Sequence, residues 1–273
     1  MPEGPEIWRV ADSLHQVLAG KTVEEISFAF DELEEQKDLL LGEKVTGVEA
    51  RSKALLTHFS SDYTIYSHNQ LYGKWYVRKR DDYPDTNRSL RLEIHNGDHS
   101  ALLYSASDIE ILKRDELDQH DYLSKLGPDL LAPETTYQTV LERFRDPKFQ
   151  NRKLSTLLLD QGFLAGPGNY LRSEILFYGG VHPSYRPADC TDEQIKKLAE
   201  GSLQLSKRSY KTGGITVKQE IVDALKREGA ARREFRHYVF RRAGGFCRVC
   251  GSEIEMIKTG GRKLFFCPAC QPE

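Results

Sequence analysis

Apolar residues recur with helical spacing near the start of the chain. One face of a helix would collect Ile7, Val10, Ala11, Leu14, Val17 and Leu18. Gly20 follows the last of them and is placed to end the helix. The pattern therefore predicts an amphipathic helix that begins just after Pro5.

From Val23 to about Ser107 the pattern changes to short runs in which apolar and polar residues alternate. Two such runs are Ile26-Phe28-Phe30 and Leu90-Leu92-Ile94. A period of two is typical of strands with one buried face, and Asn96-Gly97 is a hairpin-turn dipeptide. We expect an antiparallel sheet domain over this part of the chain.

Beyond Gly127-Pro128-Asp129 the alternation stops and helical spacing returns. The spacing predicts helices at 134–145, 151–160, 170–178, 191–205 and 217–227. We place a domain boundary near residue 126, with an N-terminal domain at 1–126 and a C-terminal domain at 127–273. The expected fold class is α+β.

Length and composition fit this division. A chain of 273 residues with 39% hydrophobic residues can bury a core in each of two domains. No run approaches the roughly 18 consecutive apolar residues of a membrane span, and MPEGPEIWRV lacks the pattern of a secretory signal. We expect a soluble protein of the bacterial cytoplasm that makes no membrane contact. Nothing in the sequence indicates an oligomer, so we expect a monomer.

The distribution of charge is more informative than its total. A net charge of −2 gives no indication of a polyanionic partner. Residues 207–263, however, contain 15 Lys and Arg against 6 Asp and Glu. This part of the chain is the candidate for contact with a phosphate backbone.

Four of the five cysteines form two pairs near the C-terminus. Cys247 and Cys250 are separated by two residues, as are Cys267 and Cys270, and the segment between the pairs fits a β-hairpin. Four thiolates complete the tetrahedral coordination of Zn²⁺, so we expect one structural zinc with no open position. The remaining cysteine, Cys190, is expected to be an ordinary small residue.

The predicted hairpin ends in Gly260-Gly261-Arg262-Lys263. Two glycines allow another molecule to approach the backbone closely, and the Arg262 guanidinium can bind a phosphate with two hydrogen bonds. An exposed arginine beside a turn is equally compatible with simple hydration, so this pattern alone leaves both interpretations open.

The N-terminal residues carry a second candidate chemistry. Met1 before a proline is normally removed, which would leave Pro2 as a secondary amine that titrates near ~8 and is partly neutral at physiological pH. Attack on a sugar C1′ would give an iminium that acidifies the C2′ proton. Glu3 and Glu6 could donate and relay protons. The same residues are also good first-turn residues of a helix.

Several motifs together resemble one family. They are MPEGPE, Lys53 in Ser52-Lys53-Ala54-Leu55-Leu56, Leu159-Asp160-Gln161 through Gly166-Pro167-Gly168-Asn169-Tyr170, and the four-cysteine hairpin. Their order is similar to that of the formamidopyrimidine-DNA glycosylase and endonuclease VIII family, and the resemblance covers both ends and the middle of the chain.

This resemblance implies a fold and a partner. The fold is an N-terminal antiparallel β-sandwich flanked by helices and a C-terminal helical domain. The second domain would contain a helix–two-turns–helix element at about 151–178 and the zinc β-hairpin at about 240–271. The implied partner is damaged double-stranded DNA, lying across the cleft between the domains.

The resemblance also implies roles for single residues. Pro2 would be the Schiff-base nucleophile, Glu3 the proton donor that helps to open the sugar, and Lys53 a cation that assists elimination. Arg262 would grip the phosphates beside the lesion and assist the second elimination. Lys125 matches a basic contact to the DNA backbone in the interdomain linker.

Asn169 begins the second helix of the paired-helix element. There its side chain could cap the helix while the free N–H groups bind a phosphate. The preceding Pro167 departs from the family pattern, which has an aliphatic residue at this place. Proline removes a backbone donor from this turn.

The branch of the family depends on Gln70-Leu71-Tyr72, which are adjacent here. Such a contiguous segment resembles the endonuclease VIII branch, in which it fills the space left by an extruded base. We therefore expect a bifunctional glycosylase and lyase for oxidised pyrimidines that cleaves by β,δ-elimination. The alternatives are a purine-lesion glycosylase and a non-catalytic zinc-bearing protein that binds damaged DNA.

Overall fold

The computed structural model describes residues 2–273, so Met1, whose removal is predicted above, lies outside the described residues. The chain forms two compact units that are described separately. Unit 1 comprises Pro2 and Glu6–Lys125, and unit 2 comprises Glu3–Pro5 and Leu126–Glu273. Among residues 2–273, no helix has the length and apolar character needed to cross a membrane.

The predicted N-terminal helix is present as α1 (Gly4–Leu18). Its buried face carries Ile7, Ala11, Leu14 and Leu18, which are spaced by three or four residues and join the core of unit 1. Gly20 has a φ of +78°, a left-handed conformation that suits glycine at the end of a helix. The predicted helix and its stop signal are both confirmed.

Unit 1 contains two antiparallel four-stranded sheets, with strand orders β1-β6-β7-β5 and β2-β3-β4-β8. Both sheets contribute to one shared core. The strands are β1 (Glu25–Phe28), β2 (Val45–Arg51), β3 (Ala54–Phe59), β4 (Tyr63–His68), β5 (Lys74–Lys79), β6 (Leu90–His95), β7 (His99–Tyr104) and β8 (Asp108–Lys113). The predicted antiparallel sheets are confirmed.

The alternating runs are largely confirmed. Leu92 and Ile94 of β6 point into the core, and Asn96-Gly97 lies in the turn between β6 and β7. Phe30 lies outside β1, because the chain leaves the sheet there and begins the one-turn helix α2 (Asp31–Glu34).

Unit 2 is mainly helical, and its core draws on four of its helices and on the hairpin strand β10. The helices are α3 (Tyr137–Arg145), α4 (Leu154–Leu157), α5 (Asn169–Gly179), α6 (Asp192–Thr212), α7 (Gln219–Arg227) and α8 (Arg232–Phe235). The hairpin strands are β9 (Glu255–Thr259) and β10 (Arg262–Phe266), and the chain reverses through Gly260 and Gly261, which have positive φ.

Three predicted helices differ in extent. The helix predicted at 191–205 is longer, because α6 continues to Thr212 and ends only at Gly213, which has a left-handed conformation. The segment 151–160 contains only the single turn α4, because the Asp160 side chain accepts a hydrogen bond from Gly162 N at 2.8 Å and starts a turn. The segment 134–145 becomes helical only at Tyr137, because Thr136 caps the helix by accepting a hydrogen bond from Thr139 N.

Candidate active site

The Glu3 carboxylate lies at the N-terminus of α5, within unit 2. Its Oε2 accepts hydrogen bonds from Gly168 N at 2.7 Å and Leu171 N at 3.2 Å, and its Oε1 accepts one from Tyr170 N at 2.7 Å. The first N–H groups of a helix have no partner inside the helix, and a negative charge there is favourable. Glu3, only 3% exposed, therefore caps α5 from the far end of the sequence.

This arrangement corrects two expectations, that Asn169 caps the helix and that the N–H groups at its start are free for a phosphate, because three of them donate to Glu3. Asn169 is the first residue of α5, and the N-cap is Gly168. The Asn169 side chain instead donates from Nδ2 to the Lys263 carbonyl at 2.9 Å and accepts from Arg172 Nη2 at 2.6 Å. Because Glu3 supplies the cap, Asn169 is available to connect α5 to the hairpin.

Close packing requires two glycines around Glu3. A Cβ on Gly168 would lie 2.4 Å from Glu3 Cδ, and a Cβ on Gly4 would lie 2.7 Å from Gly166 Cα. Gly4 N also donates to the Gly166 carbonyl at 2.8 Å. The N-terminal segment 3–5 is therefore fixed against the turn that precedes α5.

The turn itself is held by Gln161. Its Oε1 accepts a hydrogen bond from Gly166 N at 3.0 Å, and its Nε2 donates to the Pro167 carbonyl at 3.0 Å. Pro167 takes part through its carbonyl oxygen, so the loss of a donor at this position does not prevent the turn from forming.

Pro2 is joined to Glu3 by one peptide bond and is half-buried. Fixing Glu3 therefore restricts the position of the predicted nucleophile. Glu6 is half-buried in the first turn of α1.

A buried arginine connects α5 to the tip of the zinc hairpin. Arg172 is fully buried, and it donates to the Ser155 carbonyl at 2.8 Å and to the Lys263 carbonyl at 3.2 Å. Burial, followed by the charge of Arg262, lowers the pKa of Arg172 to about 10, and the charge of Glu3 opposes this shift. Arg262 is exposed at the start of β10. Its charge and that of Glu3 both act on Arg172, with opposite effects on the pKa of Arg172.

Glu174, two residues further along α5, organises the segment that leads to the hairpin. Its carboxylate accepts hydrogen bonds from the backbone N–H groups of Tyr238, Val239 and Phe240 at 2.8–2.9 Å, and from the Thr216 hydroxyl at 2.5 Å. Complete burial raises the pKa of Glu174, while these donors lower it.

Lys53 lies in unit 1, in the two-residue turn between β2 and β3. Its neighbour Ser52 has a φ of +62°, which is unusual for a residue with a side chain, and the Tyr122 hydroxyl donates to Ser52 Oγ at 3.1 Å. Lys53 is 9% exposed. Burial lowers the pKa of the His68 imidazole, the charge of Asp108 opposes this shift, and the charge of nearby Lys53 adds to it.

Gln70, Leu71 and Tyr72 form an exposed turn between β4 and β5, also in unit 1. Leu71 is 50% exposed and Tyr72 is 66% exposed, so two large side chains that are adjacent in sequence both lie in solvent. Gly73 N donates to the Asn69 carbonyl at 2.7 Å, and a Cβ on Gly73 would lie 2.5 Å from that oxygen. The tight turn therefore presents the two side chains to solvent.

Gln70 supports the same turn. It has a φ of +48°, its backbone N–H donates to His68 Nδ1 at 3.0 Å, and its side-chain oxygen accepts from the Ser107 hydroxyl at 3.0 Å.

Lys125 ends a short 3₁₀ helix elsewhere in unit 1, where its exposed amine pairs with Asp121 at 2.9 Å. An exposed pair of this kind contributes little to stability and leaves Lys125 accessible.

The four paired cysteines meet in unit 2. Their sulfur atoms lie within 4.8 Å of one another, with 3.9 Å between Cys247 and Cys270 and 3.4 Å between Cys250 and Cys267. Sulfur atoms around Zn²⁺ at about 2.3 Å are about 3.8 Å apart, so the cluster fits a tetrahedral ion. These residues hold one structural zinc, whose bonds tie the two ends of the hairpin segment together.

The sequence-based interpretation missed the residues that organise the site. Gly168, Arg172 and Glu174 belong to or precede an otherwise apolar helix, and each has a partner far away in the sequence. The available signal was the presence of two charged residues, Arg172 and Glu174, among the buried apolar positions of α5.

Comparisons with known proteins agree with this geometry. Three family models match the chain: the formamidopyrimidine-DNA glycosylase N-terminal domain at 1–106, the formamidopyrimidine-DNA glycosylase H2TH domain at 126–220, and the zinc finger found in FPG and IleRS at 244–272. Proteins called Endonuclease 8 from Shigella sonnei and Escherichia coli are 46% identical over 271 residues, which is 99% of this chain and 100% of each relative.

Solved structures show a similar fold. A Lactococcus lactis formamidopyrimidine-DNA glycosylase bound non-covalently to DNA containing an AP site has a TM-score of 0.81 at 23% identity, covering 99% of this chain and 100% of that one. The same enzyme in a complex with DNA containing an oxidised pyrimidine has a TM-score of 0.82 at 24% identity, with both chains fully covered. At these identities the likeness establishes the fold.

Proposed function

Because this chain belongs to the formamidopyrimidine-DNA glycosylase family, whose members are DNA glycosylases with AP lyase activity, we propose that it excises oxidised pyrimidines from duplex DNA through a Schiff base on Pro2. The observation that carries the proposal is the position of Glu3. Three backbone N–H groups fix the Glu3 carboxylate, and the backbone of Glu3 is joined to Pro2 by one peptide bond.

The first half of the reaction removes the base. The Pro2 nitrogen attacks C1′, and the base leaves with the electrons of the glycosidic bond and takes up a proton. The new C1′–N bond leaves the nitrogen positively charged, and its proton passes to the Glu3 carboxylate. Glu3 then protonates O4′ as the C1′–O4′ bond breaks, which gives the ring-opened iminium.

The second half cuts the strand. The iminium accepts electrons, so loss of the C2′ proton expels the 3′ phosphate (β-elimination), and later loss of the C4′ proton expels the 5′ phosphate (δ-elimination). Lys53 and Arg262 stabilise the departing phosphates, and Glu6 relays protons near the N-terminus. Asn169 and Lys125 contact the DNA backbone.

The exposed Gln70-Leu71-Tyr72 turn supports extrusion of the damaged base, and its resemblance to the endonuclease VIII branch supports the pyrimidine preference. Moving a base out of the DNA helix costs a few kcal/mol, because its stacking and pairing are lost. An apolar and an aromatic side chain can replace part of the lost stacking. Their adjacency on one tight turn suits insertion as a single wedge.

Borohydride trapping tests the nucleophile. The enzyme is incubated with duplex DNA containing thymine glycol, reduced and digested, and the adduct is mapped by mass spectrometry to Pro2. A variant with a non-removable N-terminal extension, which blocks the amine, is expected to give no adduct. An adduct of equal yield on a lysine would show that the nucleophile assignment is wrong.

A panel of lesions tests the substrate. Thymine glycol and 8-oxoguanine duplexes are compared side by side, together with a preformed abasic site. Leu71→Ala is expected to slow excision of thymine glycol and to spare the abasic site, which has no base to extrude. The matched control is Leu41→Ala, which truncates another exposed leucine of unit 1. A strong preference for 8-oxoguanine would favour the purine-lesion alternative.

The remaining expectations belong to the same proposal. Residues 1–126 would form the catalytic domain and residues 127–273 the DNA-binding domain. The helix–two-turns–helix element would occupy about 151–178, and the zinc hairpin about 240–271. The enzyme would act as a monomer on damaged duplex DNA in the bacterial cytoplasm, and light scattering with and without a lesion duplex tests its oligomeric state.

A further inference from the structure

A second cluster of potential metal ligands lies in unit 1, on the outer face of the sheet that contains β1 and β6. The antiparallel register places Glu25 directly opposite His95 and Ser27 opposite Glu93. Because Ile26, Leu92 and Ile94 point into the core, their sequence neighbours Glu25, Glu93 and His95 share the other face.

The donor atoms of these three residues converge. One carboxylate oxygen each from Glu25 and Glu93 and one ring nitrogen of His95 lie within 4.8 Å of one another. Ligands bonded at about 2.2 Å to one ion are at most about 4.4 Å apart, and a rotamer change of the exposed Glu25 side chain can close the difference.

His95 provides an independent observation that points to a ligand. Its side chain is completely buried, and its Nε2 forms no hydrogen bond, although it lies 3.3 Å from Glu93 Oε2. A buried polar nitrogen without a hydrogen bond is unfavourable, and coordination to a cation would satisfy it.

The surroundings of His95 are compatible with such a role. Its Nδ1 lies 2.8 Å from the Ser100 hydroxyl, so a proton on Nδ1 can be donated to that oxygen, which leaves the Nε2 lone pair free to bind a metal. Glu93 is oriented by the Ser27 and Tyr83 hydroxyls, which donate to its two oxygens at 2.7 and 2.8 Å.

We propose that Glu25, Glu93 and His95 form a binding site for a divalent transition-metal ion, separate from the zinc hairpin. One imidazole and two carboxylates suit Mn²⁺, Fe²⁺ or Zn²⁺. A bound ion would cross-link β1 to β6 and neutralise the carboxylates. The ion would compete with the Arg80 guanidinium for the Glu25 carboxylate, because Arg80 Nη2 lies 3.5 Å from Glu25 Oε2.

Mn²⁺ is the probe of choice, because it binds most weakly in the divalent series and does not displace zinc from four thiolates. The zinc-loaded full-length enzyme is titrated near neutral pH, and free Mn²⁺ is followed by electron paramagnetic resonance. We expect one saturable site in the wild type. His95→Gln and Glu25→Gln are each expected to weaken binding at least ten-fold.

Two further variants make the test directional. Arg80→Gln removes the competing cation and is expected to strengthen Mn²⁺ binding several-fold. His58→Gln alters a histidine that faces Glu49 at 3.5 Å in the other sheet of unit 1, and it is expected to leave binding unchanged.

The result that overturns the proposal is equally definite. The proposal is wrong if the wild type shows no saturable binding at millimolar Mn²⁺, or if Glu25→Gln binds Mn²⁺ as tightly as the wild type. Glu25 is exposed, so that variant keeps the test valid if His95→Gln fails to fold. Zinc content is measured in every sample to show that the thiolate site is unaltered.

Discussion

At the residue scale, the candidate site depends on a carboxylate that is held by backbone rather than by side chains. Glu3 receives its three hydrogen bonds from N–H groups at the start of α5, so its position follows the helix. Gly168 makes this possible because it has no side chain, and a Cβ there would overlap Glu3.

Gly168→Ala should therefore displace Glu3 and slow base excision roughly a hundred-fold, as expected for loss of a positioned proton donor. Single-turnover excision of thymine glycol measures the effect. The matched control is Gly47→Ala, where the new Cβ meets only His15 at 3.9 Å. If the overlap is the cause, Gly168→Ala should cost much less stability in a Glu3→Ala background than in the wild type.

A second single-residue effect concerns the turn that carries Lys53. Tyr122→Phe removes the hydroxyl that donates to Ser52, which has a left-handed backbone conformation. One hydrogen bond is worth about 0.5–1.5 kcal/mol, so kcat for strand cleavage should fall by roughly two- to ten-fold with little change in KM. Tyr137→Phe, at an exposed tyrosine, is the control. An unchanged kcat would show that this hydroxyl does not position Lys53.

The sequence contained part of this residue-scale information. The pattern MPEGPE drew attention to Pro2 and Glu3, and family resemblance drew attention to Lys53, because reactive groups are recognisable by type. Gly168 and Arg172 were not recognised, because their roles depend on partners about 90 residues or more away in sequence.

At the element scale, α4, α5 and β10 form one connected structure. Arg172 of α5 donates to the carbonyl of Ser155 in α4 and to that of Lys263 in β10, and Asn169 donates to the latter as well. Amphipathic spacing predicted α1 well, because its packing face is regular, and it found α6 but not that helix's last seven residues. It overestimated α4, because the turn from Asp160 to Gly168 is set by side-chain hydrogen bonds that periodicity does not reveal.

The hairpin should depend on its zinc. Chelation, or Cys250→Ser, removes the link between the two cysteine pairs and should loosen the contacts of Asn169 and Arg172 with Lys263. We expect loss of DNA binding and of δ-elimination, measured by gel shift and by product analysis. Cys190→Ser is the control, because that thiol contacts the Arg186 carbonyl and lies outside the cluster. Full binding by the zinc-free enzyme would contradict this dependence.

At the scale of the whole molecule, charge is unevenly distributed along the chain. The net charge of −2 conceals the basic stretch 207–263, in which several arginines surround the buried His237. His237 stacks on Tyr170, with ring centroids 5.1 Å apart, and Tyr170 N is one of the donors to Glu3. The ionisation of His237 is therefore linked to the packing behind the candidate site.

His237 should make unit 2 sensitive to acid. Burial, followed by the charges of Arg236, Arg241 and Arg232, lowers the pKa of His237 to about 3. The unfolded chain binds a proton there near pH 6.5, and the folded chain does not until about pH 3. The free energy of unfolding therefore carries no cost from His237 above pH 6.5. As pH falls from 6.5 toward 3, it decreases by roughly 1.4 kcal/mol per pH unit, because only the unfolded chain takes up the proton.

Urea unfolding at a series of pH values between these limits measures this loss. Far-UV circular dichroism follows mainly the helices of unit 2, with a smaller share from α1, whereas tryptophan fluorescence follows unit 1, because Trp8 and Trp75 both lie there. His237→Gln cannot take up the proton, so its free energy of unfolding should fall less steeply with acid than that of the wild type. Parallel pH curves for the two proteins would mean that His237 is not the group responsible.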